Sequence, residues 1–350
     1  MPIYKDEKRG TWYCSFYYTD WTGKRKKKKK EGFKKQSEAK EFERDFLTKQ
    51  RNNCDMSFEK LTELYLEHAK TNVRTTTFAN KSILINNKIK PYFKNMNVTD
   101  ITPNHIRKWQ NALKNKSLSN TYLKSINIQL SAIFNFAIKY YGLSTSPALK
   151  AGSMGKNKAE DMKFWTIEEF KKFINFSDYP NVTIAFKILF WTGIRRGELL
   201  ALTFNDIDLE KKTININKTY TKLLKKDVIN PPKTRKSKRI ISISDSLVED
   251  IKEYINSIYD YNKNDRIFTF GTDFLRQHLI RICKLSKVKQ IRIHDIRHSH
   301  ASLLIELGFA PLAISERLGH ESVQTTLNIY SHLYPNKDIA LANKLNELYE

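Results

Sequence analysis

The sequence predicts a multidomain protein that is mainly α-helical and carries small β-sheets. Three observations support this fold class. The chain has 350 residues, which exceeds the size at which a single hydrophobic core usually stops growing. Apolar residues recur at three- and four-residue spacings through residues 57–141, as is typical of helices. Short aromatic and β-branched stretches, such as Thr11 to Tyr18, alternate loosely and predict strands.

Residues 1–53 are the first predicted domain, a sheet of two or three strands backed by one helix that begins at Ser37. This segment holds 16 Lys and Arg against 8 Asp and Glu, and its basic run lies beside several aromatic residues. A solvated turn or tail is the alternative interpretation of that run. We favour DNA contact, because a strand with basic side chains on both faces is accommodated only by a polyanion or by solvent. The residues predicted to contact DNA are Lys24, Arg25, Lys26, Lys27, Lys28, Lys29 and Lys30.

Residues 57–141 are predicted to form a helical domain. Ser57 and Ser119 are placed to cap helices, and Thr102 is followed by proline at the first helical position. Gly142 ends the last helical stripe. Residues 142–163 are interpreted as a linker, because they hold Gly, Ser, Pro and Lys with little apolar periodicity. The final predicted domain spans residues 164–350, and its first helix is predicted to begin with a capping box formed by Thr166 and Glu169.

Composition narrows the class of protein. The formal net charge is +25, so the expected partner is a polyanion, with nucleic acid favoured over an anionic membrane surface. A hydrophobic fraction of 40% excludes a mostly disordered chain, and no apolar run is long enough for a membrane span. The first residues contain no apolar signal region. The three cysteines, Cys14, Cys54 and Cys283, are too sparse for a disulfide framework or a zinc site, so we expect a cytoplasmic protein.

Two stretches in the C-terminal half combine basic residues with a break in the helical pattern. In the first, an apolar helix ends at Gly193 and a second helix begins near Arg195, where helix amides and a guanidinium favour an anion. A surface corner between two helices is the alternative. In the second, a strand is predicted after Arg239, with Asp227 to Asn230 as its expected hairpin partner, so that Lys233 would lie near a mobile hairpin tip. A basic loop without chemistry is the alternative, and the predicted DNA contacts here are Arg235, Lys236, Lys238 and Arg239.

Two further stretches contain histidines. His294 and Arg297 are three residues apart and share one face of a helix. The spacing of His294 and His298 permits a metal site, but no glutamate stands where the HExxH pattern requires one, and Arg297 would repel a cation. His320 follows Leu318-Gly319, ten residues before Tyr330. Simple packing is the alternative role for Tyr330.

Together these residues supply what transfer of a phosphodiester requires without a metal. Cationic donors must surround the phosphorus as charge grows on its oxygens, a role open to Arg195, Arg297 and His320. A mobile Lys233 could protonate the leaving sugar oxygen. The Tyr330 hydroxyl could form a covalent ester that conserves the bond energy. The ordinary pKa of a tyrosine, about 10, is unfavourable for attack at neutral pH, and we expect neighbouring cations to lower it.

The order of these motifs resembles that of the tyrosine recombinase (phage integrase) family, most closely integrases of Gram-positive temperate phages and integrative elements. The resemblance covers the whole chain. It implies an AP2-like arm-binding domain at residues 1–53, a helical core-binding domain at 57–141 and a mixed α/β catalytic domain at 164–350. It also implies catalytic roles for Arg195, Lys233, His294, Arg297, His320 and Tyr330, with Tyr330 as the nucleophile.

By the same resemblance, the expected function is site-specific cutting and rejoining of double-stranded DNA through a 3′-phosphotyrosyl intermediate, without metal, ATP or another cofactor. A homotetramer on DNA is implied, with C-terminal segments exchanged between protomers. Residues 336–349 suit that exchange because Ile339, Ala342 and Leu345 share one helical face, although this stripe could pack on its own domain. An excisionase and a host DNA-bending protein are candidate partners.

Two alternatives stay open at this point. A non-catalytic, sequence-specific DNA-binding protein would share the charge and the aromatic residues, but it leaves the spacing of the six catalytic candidates unexplained. Within the family, a conjugative-transposon or dimer-resolution recombinase is also compatible. Dimer resolvases generally lack the N-terminal arm module, so residues 1–53 count against a dimer-resolution recombinase.

Overall fold

The computed structural model describes residues 3–7, 9–19, 25–51, 54–155, 162–223, 226–232 and 234–333. The chain divides into two compact units, Met1–Ala159 and Glu160–Glu350. It is mostly helical and has small antiparallel sheets, which confirms the predicted fold class. In the part of the chain that is described, no helix has the length and apolar character needed to cross a membrane.

The first unit begins with the predicted sheet and its helix. The elements are β1 (Ile3–Asp6), β2 (Thr11–Thr19), β3 (Arg25–Phe33) and α1 (Gln36–Arg51). The strands pair antiparallel in the order β1-β2-β3. Their inner face, with Cys14 and Phe16, packs against Ala39, Phe42 and Phe46 of α1. Cross-strand neighbours share a face, so the period of two separates this small apolar core from the opposite, solvent-facing side.

A helical bundle follows in the same unit. Its helices are α2 (Phe58–Asn72), α3 (Thr75–Leu84), α4 (Lys90–Phe93), α5 (Pro103–Lys114), α6 (Asn120–Tyr141) and α7 (Pro147–Ala151). The predicted caps are present: the hydroxyls of Ser57, Thr102 and Ser119 accept the backbone N–H three residues later. Gly142 ends α6 in the left-handed region, at φ 70°. The buried stripes meet around Phe58, a residue with no exposed surface.

Part of the segment predicted as a linker is folded. Within residues 142–163, Ser146 caps α7, and the side chains of Leu143, Ala148 and Met154 are buried in the core of the helical bundle. The short helix escaped prediction because one turn offers no apolar period to count. Residues 156–161 of the same segment lie outside the described residues.

The second unit combines helices with two small sheets. Its helices are α8 (Ile167–Ile174), α9 (Pro180–Thr192), α10 (Arg196–Leu199), α11 (Asp245–Asn256), α12 (Thr272–Ser286), α13 (Ile293–Glu306), α14 (Pro311–Leu318) and α15 (Val323–Tyr330). Its strands are β4 (Ile207–Asp208), β5 (Thr213–Ile216), β6 (Thr219–Leu223), β7 (Lys226–Asn230) and β8 (Arg239–Ser242). The predicted capping box is present, since Thr166 and Glu169 exchange hydrogen bonds at the start of α8. Helix α9 is apolar on nearly all sides because it runs through the core.

The predicted hairpin partner of the strand after Arg239 is wrong. Strand β8 pairs with β5, and β7, which contains Asp227 to Asn230, pairs instead with β6. Strand β8 alternates burial and completes the sheet β4-β5-β8, where Ile241 lies opposite Ile214 in the core. In the sequence Lys233 follows the end of β7, and its placement lies outside the described residues.

Candidate active site

Helix α13 places the first of the candidate arginines. Arg297 is 3% exposed, and its two terminal nitrogens donate to backbone carbonyls: Nη1 to Gly193 at 2.8 Å and Nη2 to Leu318 at 2.7 Å. Both carbonyls belong to residues at helix ends, after α9 and at the end of α14, where carbonyls lack helical partners. Burial and the nearby Arg195 lower the pKa of Arg297 to about 9. The guanidinium thus ties three segments together, and it has five N–H donors, more than these two carbonyls use.

Arg195 lies where the sequence predicted a break between two helices. Gly193 adopts φ 66°, a left-handed conformation that ends α9, and Arg195 caps α10. Its Nη1 donates to Glu198 Oε1 at 2.7 Å and its Nη2 to the carbonyl of Gly319 at 3.2 Å. The side chain is 36% exposed. Arg195 and Arg297 thus both donate to the short turn that ends α14.

A buried carboxylate connects Arg195 to a second arginine. Glu198 is 4% exposed and also accepts from Arg239 Nη2 at 3.0 Å. Arg239 in turn donates through Nε to the carbonyl of Arg317 at 2.7 Å and through Nη1 to that of Ser237 at 3.1 Å. Burial would raise the pKa of Glu198, but the charges of Arg239 and Arg195 outweigh it and hold that pKa below its ordinary value. Glu198 is therefore ionised at neutral pH and holds both guanidinium groups.

His320 directly follows the Gly319 turn. Its Nδ1 lies 2.8 Å from Thr326 Oγ1 of α15, and the side chain is 8% exposed. Burial and the charges of Arg297 and Arg195 lower the pKa of His320 to about 3, so the imidazole is neutral. Gly319 has φ 69°, and a Cβ atom there would lie 2.9 Å from Arg239 Nη1, so only glycine fits this turn without displacing the arginine.

His294 lies one helical turn before His298 on α13, and its ring packs edge-on against that ring at 5.2 Å. Partial burial, together with His298 and Arg297, lowers the pKa of His294. A cavity of about 540 Å³ opens beside it. The polar side chains that line this cavity are Arg195, Arg196, Arg276, Gln290, Arg292 and His294. The four guanidinium groups among these side chains suit an anionic ligand, and leucine and isoleucine side chains complete the wall.

Tyr330 ends α15 and has no exposed surface. Its hydroxyl lies 2.7 Å from His298 Nδ1, and the two rings meet edge-on at 5.6 Å. Burial raises the pKa of Tyr330 to about 12, while the charge of Arg297 acts in the opposite direction. The prediction that cations would lower this pKa is therefore wrong for this structure, because loss of hydration outweighs them.

Five of the six predicted catalytic residues thus surround the segment where α13 meets the Gly193 and Gly319 turns. The sixth, Lys233, lies outside the described residues, as do Lys24 and the predicted tail helix at residues 336–349. Sequence reasoning missed Glu198 as the carboxylate that holds two arginines, although it stands in the stretch already singled out. It also missed His298, which was weighed only as a metal ligand.

The other basic residues predicted to contact DNA fall into two groups. Arg235, Lys236 and Lys238 are exposed. Arg239 differs from them, because its side chain is 7% exposed and is occupied by Glu198 and two backbone carbonyls. Charge alone could not separate these neighbours. Their position relative to strand β8 does separate them, because Arg239 is the first residue of that strand and the three others precede it.

Comparison with protein families gives three matches that follow the order of the chain. Residues 2–50 match the "Arm DNA-binding domain" model, and residues 57–114 match "Phage integrase, N-terminal SAM-like domain". Residues 163–337, half of the chain, match "Phage integrase family". The last match contains Arg195, Arg297, His320 and Tyr330.

Curated proteins and solved structures agree with these matches. The chain is 34% identical to the ICEBs1 integrase of Bacillus subtilis, over 88% of this chain and 87% of that protein. It is 27% identical to the integrase of Staphylococcus phage L54a, over 84% and 93% of the two chains. In fold it resembles the Tn1549 transposon integrase in complex with a circular intermediate DNA, with a TM-score of 0.68 at 20% identity over 84% of this chain and all of that one. It also resembles a lambda integrase tetramer bound to a Holliday junction, with a TM-score of 0.57 at 17% identity over 92% and 96% of the two chains. The chain therefore belongs to the phage integrase family and is a site-specific tyrosine recombinase of mobile DNA elements.

Proposed function

We propose that this recombinase cleaves DNA through Tyr330, whose Oη attacks a backbone phosphorus to give a 3′-phosphotyrosyl bond and a free 5′-hydroxyl. Arg195, Arg297, His294 and His320 surround that phosphate. In the second step the 5′-hydroxyl of a partner strand attacks the phosphotyrosyl bond and releases Tyr330. The ester bond conserves the energy of the cleaved linkage, so neither ATP nor another cofactor is consumed.

The observation that carries this proposal is the sharing of one turn by both arginines. Arg297 donates to the carbonyl of Leu318 and Arg195 to that of Gly319, immediately before His320. The three cationic or donor groups are thus fixed relative to one another before DNA binds. Donors that are already oriented towards developing negative charge stabilise a transition state without a cost of reorganisation.

Lys233 has the role of general acid in this mechanism and protonates the leaving 5′-oxygen. Its place in the sequence supports the role, since it lies between β7 and β8, three residues after Asn230 and six before Arg239. A general acid of this kind contributes about 10²–10⁴ in rate. The lysine donates a proton and the arginines stabilise the phosphate charge, because guanidinium groups stay protonated while an ammonium can release its proton.

The N-terminal sheet binds arm-type DNA through its outer face. Cross-strand neighbours in β2 and β3 share a face, so Lys27 lies with Tyr17, and Lys28 lies with the buried Phe16 on the helix side. Arg25 stacks over the ring of Tyr17 at 4.4 Å, and Lys29 over that of Tyr13 at 4.8 Å. These contacts orient cations on one surface, as a phosphate backbone requires. We assign the main arm contacts to Arg25, Lys27 and Lys29, with Lys26, Lys28 and Lys30 on the opposite side.

The exposed Arg235, Lys236 and Lys238 contact core-type DNA near the cleaved phosphate.

The active assembly is a homotetramer on DNA, by analogy with the lambda integrase tetramer on a Holliday junction. An excisionase and a host DNA-bending protein assist in choosing the direction of the reaction. Acting on chromosomal DNA, the protein works in the cytoplasm of the bacterial host, at the nucleoid.

The alternative of a DNA-binding protein without chemistry makes a different prediction for a nicked suicide substrate, which traps the covalent intermediate. With the full chain we expect a covalent adduct that Tyr330→Phe abolishes while DNA binding stays nearly intact. Tyr254→Phe is the matched control, since Tyr254 is partly buried against the core of the same unit and its substitution should leave the adduct unchanged. An adduct from Tyr330→Phe, or none from the wild-type protein, would show the nucleophile assignment to be wrong.

The arm-binding assignment is tested by a pair of charge reversals on opposite sides of one strand. Lys27→Glu should weaken binding to attachment-site DNA about tenfold and lower the salt dependence by a log–log slope of about 0.9 for each phosphate that is no longer neutralised. Lys28→Glu adds the same charge on the helix side and should have a smaller effect. Equal weakening by both variants would indicate a general electrostatic effect rather than a defined DNA-binding face.

A further inference from the structure

The hydroxyl oxygen of Tyr330 has a hydrogen-bond partner within the protein. Tyr330 Oη lies 2.7 Å from His298 Nδ1, a short contact for a hydroxyl and an imidazole. Tyr330 has no exposed surface, and buried hydroxyls are nearly always hydrogen-bonded. The contact joins the C-terminal end of α15 to the second turn of α13, between residues 32 positions apart.

The direction of the hydrogen bond follows from the two environments. Burial raises the pKa of Tyr330 to about 12, so the phenol keeps its proton at neutral pH and acts as the donor. Burial also lowers the pKa of His298, so the imidazole is neutral and Nδ1 accepts. The proton of the neutral ring is then on Nε2. The charged and titratable groups that face His298 are Asp295, Arg297 and His294 on its own helix, Arg292 at the N-cap of that helix, and Tyr330 on α15.

The two other histidines of the site are arranged differently. His320 Nδ1 lies against the hydroxyl of Thr326, and His294 presents its ring to His298 rather than to the tyrosine oxygen. Within the described part of the chain, His298 is the histidine that contacts Tyr330 Oη. It is therefore the group best placed to receive the phenol proton at the moment when that oxygen becomes a nucleophile.

We propose that His298 is a catalytic proton acceptor that takes the Tyr330 proton on Nδ1 during attack and returns it during rejoining, an inference that rests on Tyr330 being the nucleophile. In cleavage the P–Oη bond forms, the P–O5′ bond breaks, the phenol proton moves to His298, and the 5′-oxygen leaves with a proton from the general acid. In rejoining the 5′-hydroxyl gives its proton to that acid group, the P–Oη bond breaks, and Oη recovers its proton from His298. No proton or charge is left over after the two steps.

The first experiment measures single-turnover cleavage of the nicked suicide substrate by the full chain. Asparagine can place its Oδ1 near the position of Nδ1 and accept the hydrogen bond, but it cannot carry a proton at neutral pH. We therefore expect both His298→Ala and His298→Asn to cleave about 10²–10⁴ times more slowly than the wild-type protein. His278→Asn, a histidine of the same unit that packs between Tyr179 and Phe274, is the control and should cleave normally.

Two outcomes of this experiment would overturn the proposal. If His298→Asn cleaved like the wild-type protein while His298→Ala did not, His298 would only position the tyrosine. If His298→Ala cleaved as fast as the wild-type protein or faster, the contact would only hold the nucleophile in its buried position. DNA binding by each variant, measured on the same substrate, shows that the variant is folded.

A second experiment separates attack from departure of the leaving group. A substrate with sulfur in place of the bridging 5′-oxygen has a leaving group that needs no proton, because a thiol is far more acidic than an alcohol. It should restore cleavage by Lys233→Ala and leave His298→Ala slow. If the sulfur substrate restored cleavage by His298→Ala, the histidine would be acting on the leaving group rather than on Tyr330, and the proposal would be refuted. Tyr330→Phe should form no adduct on either substrate. An adduct from that variant would refute the assignment of Tyr330 as the nucleophile rather than the role of His298.

Discussion

Removing the carboxylate of Glu198 should destabilise the catalytic unit, and removing the charge of Arg239 as well should restore part of the stability. Glu198 is 4% exposed and Arg239 7%, and their nearest oxygen and nitrogen are 3.0 Å apart. Glu198→Gln leaves a buried guanidinium without its counterion, and an arginine cannot give up its proton to relieve the cost. Arg239→Met removes the positive partner of the same ion pair.

The size of the effect follows from burial and distance. Two unit charges about 4 Å apart interact by about 4 kcal/mol at the effective dielectric constant of about 20 that suits such sites. Breaking a buried pair by removing one partner costs about 3–5 kcal/mol, whereas replacing both partners is often much less costly. We therefore expect a loss of about 3–4 kcal/mol from Glu198→Gln and a smaller loss from Arg239→Met, because Arg195 still donates to Glu198 at 2.7 Å. The double variant should be less destabilised than the sum of the two by about 2–3 kcal/mol.

Amide hydrogen exchange of α9 in the full chain measures this free energy, because the most protected amides of a buried helix exchange through unfolding of the whole unit. The matched control is Asp178 with Arg281, an ion pair of 2.9 Å whose side chains are 64% and 42% exposed. Its coupling should stay below about 1 kcal/mol. Free energies for Glu198 and Arg239 that add to within about 0.5 kcal/mol would refute the reasoning.

Two further predictions concern the same unit. The folded protein holds His300 and His320 neutral, with pKa values lowered to about 3 mainly by burial, so the unfolded state binds protons first as the solution is acidified. Between about pH 7.5 and about pH 5.5 the free energy of unfolding should fall by about 3 kcal/mol for the two residues together, and urea titrations with no change over that range would contradict this. Gly193→Ala should abolish cleavage, because a Cβ at φ 66° would lie 2.5 Å from the His300 ring and would displace the carbonyl that holds Arg297. Gly308→Ala has a similar φ of 81° but meets nothing within 4 Å, so it should cost only about 1–2 kcal/mol in stability, and equal effects of the two variants would refute the steric argument.

Much of the fold could be predicted because its local signals agree with the tertiary structure. Helices α2, α5, α6 and α8 begin at the capping residues read from the sequence, since a cap acts within one turn and needs no distant partner. The predicted pairing of β7 with β8 was wrong. Both β7 and β8 were recognised as strands, but their partners lie on other strands, and register is decided by burial across the sheet rather than by proximity in sequence.

The candidate site was predicted to a similar extent and for a similar reason. Motif residues such as Arg195 and His320 could be found because each stands in a recognisable local pattern. The groups that hold them could not, because Arg239 reaches Glu198 across 41 positions and His298 reaches Tyr330 across 32. Spacing within one helix suggested a metal for His298, whereas its actual partner lies on another helix. A sequence pattern indicates which residues take part, but not which of them contact one another.

In the mechanism proposed above, the charges of the site suit the transition state better than the bound substrate. Arg195, Arg239 and Arg297 bring three positive charges, Glu198 brings one negative charge, and burial keeps His320 neutral, so two positive charges remain. A phosphodiester carries one negative charge in the ground state, and a second is shared over its oxygens when a fifth oxygen bonds to phosphorus. Burial is the main cause of the lowered pKa of Arg297, and the charges of Arg195 and Arg239 lower it further, so these cations repel one another. An anion bound among them relieves that repulsion, and relief is greater for the doubly charged transition state, so the cost of burying Arg297 favours catalysis over simple binding.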